Sequence, residues 1–179
     1  MKHLGVDPDK EMKIVALGPP QARFAALKQG VVNVAVASPP LDSEGEKMGY
    51  RVLARAYELF TFPFVGLGAS VEKIREKSDE VKRVIKALIK ANRYIKENRD
   101  GTIQVIMDWS RTDRENAAAS YDATAKVFNV DGNIPEDGLR RVIDQAKAAL
   151  KTQHQFSISD VADFGPLKAA QRELGVKGK

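Results

Sequence analysis

Apolar residues in this chain follow two rules, one up to about residue 70 and another beyond it. In the first part they come as short unbroken runs. Residues 14–17 (Ile-Val-Ala-Leu) lead into Gly18-Pro19-Pro20, a helix-like segment runs from Gln21 to Gly30, and residues 31–37 (Val-Val-Asn-Val-Ala-Val-Ala) end at Ser38-Pro39-Pro40. Runs without alternation suit strands buried on both faces, and parallel pairing of two such strands needs a crossover helix between them. The pattern therefore predicts a βαβ unit. Residues 51–56 and 62–68 predict a third and a fourth strand, with Gly66 and Gly68 where backbones approach closely.

From Val71 the spacing becomes helical. Ser78 is the expected N-cap of a helix reaching about Asn98, with Asp79 and Glu80 in its first turn and Val81, Val84, Ile85, Leu88, Ile89 and Ile95 on its apolar face. Ile103, Ile106 and Met107 share a face of the next segment, where Trp109 is expected as a core anchor. Thr112 to Glu115 has the capping-box spacing before a helix that turns Ala118, Tyr121, Ala125 and Phe128 inward. Asp131-Gly132 is a turn, Pro135 suits a first helical position, and Leu139, Val142, Ile143, Ala146 and Leu150 form the following core face. Ser159-Asp160 and Pro166 open two short helices that stop near Gly175. At the other end, Leu4 and Gly5 read as the last turn of a helix that began before residue 1, so preceding elements are expected to be missing.

Composition narrows the functional classes. No cysteine is present, so disulfides, thiolate nucleophiles and cysteine-based metal sites are excluded. The two histidines, His3 and His154, lie far apart in polar contexts, and no metalloprotease, nucleophile-elbow or phosphate-loop pattern occurs. Asp42, Glu44 and Glu46 fit a solvated helix face better than acid/base chemistry. The expectation is a protein that is not an enzyme and needs no cofactor or metal. Lys82, Lys86, Lys90 and Arg93 line one helix face, but no aromatic residues are interleaved with them and a net charge of +5 is modest, so nucleic acid is not expected as a partner. No apolar run approaches the roughly 20 residues of a membrane span, and the N-terminus has no secretory h-region.

Ligands of open α/β sheets sit beyond the carboxyl ends of the strands, which makes the two proline turns the candidate site. A strand ending at Gly18 and a helix starting near Gln21 would aim the amides of Gln21, Ala22 and Arg23 at an anion. Arg23 either adds a bidentate fork or lies on the solvated helix face. Ser38 and Pro39 end the second run, where Ser38 is a hydrogen-bonding candidate or a turn residue. Phe64, with Phe62, would stack on a flat ligand or belong to the core.

The succession of Leu4-Gly5-Val6-Asp7-Pro8-Asp9-Lys10, the stretch from Ala25 to Val36, Ser38-Pro39-Pro40, Gly49-Tyr50-Arg51-Val52-Leu53-Ala54 and Phe62-Pro63-Phe64-Val65-Gly66-Leu67 resembles the substrate-binding proteins of ABC importers. The similarity is to the branch that handles nitrate, sulfonates and thiamine precursors, and Asp137-Gly138-Leu139 and Val161-Ala162-Asp163-Phe164 continue it. It covers nearly the whole chain but only the C-terminal half of such a protein. The resemblance implies an α/β fold of the type II periplasmic-binding-protein kind. Residues 1–62 would be the later part of the second lobe, and residues 63–179 the return hinge strand and helical remainder of the first. It implies capture of a small anionic or heteroaromatic solute in an interlobe cleft, docking on an ABC permease of the inner membrane, and a periplasmic or extracytoplasmic location. Ser38-Pro39-Pro40 departs from the acidic and aromatic residues that many sulfonate and nitrate binders carry at this strand end, which leaves the solute open. Incomplete sheet edges around residues 64–67 further predict a homodimer or swapped assembly. The alternative is a shortened, non-transport remnant held by self-association or a partner.

Overall fold

The computed structural model describes residues 5–63 and 65–176. Met1–Leu4, and with them most of the expected helix end, lie outside the described residues, as does Phe64. The chain divides into two compact units, Met1–Arg51 and Val52–Lys179.

In the first unit the helices are α1 (Pro8–Glu11), α2 (Pro20–Lys28) and α3 (Leu41–Lys47). Pro20 opens α2, where a missing N–H costs nothing. Gly30, at φ +70°, closes it: its N–H donates to Leu27 O, and the Val31 N–H donates to Ala26 O. Gly49 closes α3 with the equivalent pair of bonds, to Glu46 O and from Tyr50 to Gly45 O. The two helices meet at Phe24, which is buried with its ring edge-on to Tyr50 at 6.3 Å. Gly45 permits this approach, since a Cβ there would already lie 3.4 Å from the Phe24 ring.

The predicted sheet is absent. Among the described residues no strand forms, and the α/β expectation gives way to an all-helical chain. Residues 13–17 and 33–37 make no backbone hydrogen bonds among the described residues, and apart from half-buried Leu17 and Ala35 their side chains face solvent, with Ile14 77% and Val36 71% exposed. The reason lies in how the two kinds of element satisfy their backbone. A helix closes its hydrogen bonds within a few residues, so α2 needs only its own start and stop signals. A strand exists only beside another strand, and here neither run finds one. The runs at residues 51–56 and 62–68 behave in the same way: the first leads into α4 (Ala56–Leu59), and the described part of the second is irregular.

The second unit continues with α5 (Val71–Glu76), α6 (Ser78–Glu97), α7 (Arg99–Ser110), α8 (Arg114–Thr124) followed by a 3-10 turn (Ala125–Val127), α9 (Glu136–Leu150), α10 (Ile158–Val161) and α11 (Gly165–Glu173). Several caps differ from expectation by a residue or more. Ser70 caps α5 by accepting from the Lys73 N–H, whereas Ser78 is already inside α6. Asp113, not Thr112, caps α8 by accepting from the Asn116 N–H at 2.8 Å. Its carboxyl is held below the usual range chiefly by that bond. Ser157 and Asp160 form the capping box of α10. Pro135 is the N-cap of α9, one residue before the expected place.

Two cores hold this unit. In the first, Ile89 of α6 packs on Leu167 and Ala170 of α11, with Ile85, Phe164 and Leu174 around them. In the second, Ile103 of α7 packs on Ala117 and Tyr121 of α8, bordered by Ile95, Ile106, Met107 and Ala125. Val84, Leu88 and Leu150, expected on core faces, are exposed, because the neighbours of α6 and α9 cover a narrower stripe than the apolar pattern offers.

The loop at residues 129–133 ties the first core together. Asn92 donates to Asn129 O, Arg93 to Val130 O, and buried Gln171 to Asp131 O. Gly132 sits at φ +80° and turns its open face to the core, where an added Cβ would stand 2.9 Å from Leu167 Cδ1. Gly132→Ala is expected to lower stability by about 1–3 kcal/mol, through left-handed strain plus overpacking, in chemical denaturation.

The basic face of α6 is largely engaged by the fold. Lys82 and Lys86 both reach Glu173 of α11 at 2.7 Å, and Lys82 also meets Asp79. Hydrogen bonds from Lys82, then Lys86, pull the Glu173 carboxyl down to about 2 from 4.5. A depressed carboxyl stabilises the fold above its unfolded value, and that contribution disappears as pH falls from about 4.5 through about 2. The pairs are half-exposed, so the effect is modest and weakens with salt. Glu173→Gln should flatten the pH dependence of the melting temperature in that acid window, measured at low ionic strength.

Candidate functional site

Four of the predicted site residues, Gly18, Gln21, Ala22 and Arg23, lie at the N-terminus of α2. Gly18 is exposed at φ +75°, and Pro19 takes the N-cap position. Of the three amides expected to face a ligand, two are already used: Ala22 and Arg23 both donate to Pro19 O, at 3.1 and 3.2 Å. Sequence reasoning missed this because a proline N-cap offers no side-chain acceptor, so its own carbonyl gathers the first turn. The Gln21 N–H remains, without a hydrogen bond among the described residues. The helix dipole still places partial positive charge there, and α2 has no acidic residue in its first turn to offset it.

Arg23 is half-buried one turn into the helix. Its Nε is buried without a hydrogen-bond partner, and no ion pair engages the guanidinium among the described residues. A guanidinium N–H removed from water and left unbonded carries a desolvation cost that a charged acceptor would offset. Arg23 is thus half-buried rather than on a fully solvated face, and no salt bridge holds it among the described residues.

Ser38 and Pro39 belong to the turn before α3, where the Leu41 N–H donates to Ser38 O at 2.9 Å. Ser38 is half-buried and its hydroxyl makes no hydrogen bond among the described residues; none joins this turn to Gly18, Gln21 or Arg23. The shared site at two strand ends is therefore corrected: without strands to aim them, the proline turns are two helix entrances. Phe62 is exposed and lies edge-on to Phe60 at 6.4 Å. No group of acidic or histidine side chains suited to a metal occurs among the described residues.

The second unit holds a concavity that sequence reasoning did not find. Ala91, Tyr94 and Ile95 of α6, Thr102, Val105 and Ile106 of α7, Tyr121 and Thr124 of α8, and Phe128 enclose a pocket of about 450 Å³. Thr102 and Tyr121 are buried at its floor, while Tyr94 and Val105 form an exposed rim. Its hydroxyls are turned to the backbone: Thr102 donates to Asn98 O, Thr124 to Ser120 O, and Tyr121 to Ile95 O at 2.7 Å. The pocket thus offers apolar surface and aromatic rings. A signal was present in α7, where Thr102, Val105, Ile106 and Trp109 fall at i, i+3, i+4 and i+7, a second apolar stripe beside the one through Ile103 and Met107.

Nothing matches. Neither the protein-family models, nor the curated proteins, nor the solved structures contain a match to this chain. The sites therefore rest on their own geometry.

Tyr121→Phe should cost about 1 kcal/mol in urea denaturation, because it leaves the Ile95 carbonyl unpaired in a partly buried setting while keeping the ring packing.

Proposed function

We propose that this chain acts as the solute-binding component of an ABC-type importer, taking a small anionic solute of the nitrate, sulfonate or thiamine-precursor kind at the first turn of α2. The order and spacing of its motifs support the family, and one observation carries the site: the half-buried Arg23 guanidinium whose Nε lacks a partner, in the same turn as the uncommitted Gln21 N–H. Together with the positive end of α2 these form a receptor that attracts negative charge without covalent chemistry. On this reading the loaded chain presents its solute to an inner-membrane permease from the periplasmic side, and the two-lobed sheet clamshell is not required. A heteroaromatic solute fits if it carries an acidic group for Arg23.

A second reading is a shortened, non-transport chain whose apolar surface is covered by another copy or a partner. The exposure of Ile14, Val31 and Val36 favours it.

Thermal-shift titration with nitrate, an alkanesulfonate and a phosphorylated pyrimidine separates the two. Solute capture gives a melting temperature that rises with ligand concentration. Arg23→Ala should then weaken the apparent affinity about tenfold or more, from the roughly 1.5–3 kcal/mol of a hydrogen bond to a charged group. Arg23→Lys should recover only part, since a point charge lacks the fork. Absence of any shift across the three anions would remove the importer reading and leave the second.

A further inference from the structure

Trp109 is the sole tryptophan of the chain, and it is 87% exposed. It was expected as an anchor for the helical core, but that role falls to Ile103, with Ile106 and Met107 beside it. Such exposure of a large apolar side chain is unusual for Trp, a residue type enriched at the centres of interfaces. Its position on α7 makes it informative. Thr102, Val105 and Ile106 line the 450 Å³ pocket, and Trp109 continues their stripe one turn further along the helix. A projecting aromatic knob and an unfilled apolar hole therefore lie side by side on one surface, with Val105 58% exposed between them.

We infer that α7 is the self-association surface of this protein, with Trp109 of each copy seated in the pocket formed by Ala91, Tyr94, Val105 and Phe128 of the other. The occupant is a second copy because the surface is self-complementary. Pairing α7 antiparallel with α7 of another chain, about a two-fold axis near Ile106, exchanges knob and hole reciprocally, as a closed two-fold interface demands. With the axis at Ile106, each Trp109 stands about 4.5 Å past it along the helix and meets the other copy at the level between Thr102 and Ile106, both of which line the pocket, so one pairing seats both knobs. The pocket hydroxyls are satisfied by their own backbone, so the incoming group need only be apolar, and an indole meets that. Area sets the strength. Two tryptophans bury about 300–500 Å², well below the roughly 1,200–2,000 Å² of a stable interface. With the rim added, the dimer is weak and concentration-dependent. This surface lies on α7, away from residues 64–67, where the expected sheet edges do not form among the described residues, and its existence does not depend on solute binding.

Sedimentation velocity and Trp emission, followed on the full chain from about 1 µM to about 500 µM, read the two halves of the inference together. Mass should rise toward the dimer while emission moves to the blue. Trp109→Ala, which removes the knob, and Ala91→Phe, which fills the hole, should each weaken dimerisation at least tenfold with unchanged circular dichroism. Leu150→Ala, an exposed apolar change elsewhere, should leave it intact. A monomer across the range, a dimer that survives both variants, or a dimer without any change in Trp emission overturns the assignment. So does calorimetric binding of indole that leaves dimerisation undiminished, since the pocket would then be a small-molecule site rather than a seat for Trp109.

Discussion

The helical unit depends on how α11 is seated on α6. Ile89 is almost wholly buried between Leu167 and Ala170, and a residue held this way contributes about 2–5 kcal/mol against truncation to alanine. Burial alone would allow α11 to slide along an apolar stripe. Polar contacts on both sides of the stripe fix its register: Glu173 is held by Lys82 and Lys86, and Gln171 reaches across to the carbonyl of Asp131. The same helix, α6, carries Asn92 and Arg93, which hold the loop at residues 129–130 from the other side. One long helix thereby orders a loop and a helix that are distant from it in sequence, and the glycine at 132 is what lets that loop come close.

The corner between α6 and α7 builds the second core and, with it, the pocket. Asn98 ends α6 by donating its N–H to Tyr94 O and starts α7 by accepting from the Gly101 N–H, so the chain turns within one residue. Gly101 leaves room for the Tyr94 hydroxyl, which a Cβ would displace. The turn is tight enough that α7 shows one apolar face to α8 and keeps another beside α6, where Val105 and Trp109 stay exposed among the described residues. An exposed tryptophan and an open pocket are two consequences of the same geometry.

The first unit is organised by local signals around a small core. Phe24, Ala26 and Gly45 are buried, and Lys28 lies 5.0 Å above the Phe24 ring and 4.0 Å from Glu44. Arg23 precedes Phe24 on the same helix. Its Nε, buried without a hydrogen-bond partner, lies within the first turn of α2, an arrangement that costs stability.

What the amino-acid order determined was every element whose instructions are local. The glycines at 30, 49 and 175 end helices with the bonds expected of them, Pro20 opens α2, Asn98 falls at the end of α6, and the helical spacing after Val71 places Val81, Ile89, Ile103, Tyr121 and Ile143 inside. Tertiary structure decided whatever required a partner from elsewhere. The runs at 14–17 and 31–37 have the composition of buried strands and lack a neighbour to pair with, Ala22 and Arg23 lost their free amides to a carbonyl three or four residues back, and Trp109 went outward because Ile103 already filled the interior. A helix carries its hydrogen bonds within itself, whereas a ladder, a receptor and an interface each need a second surface, and a single line of residues does not say whether that surface will be there.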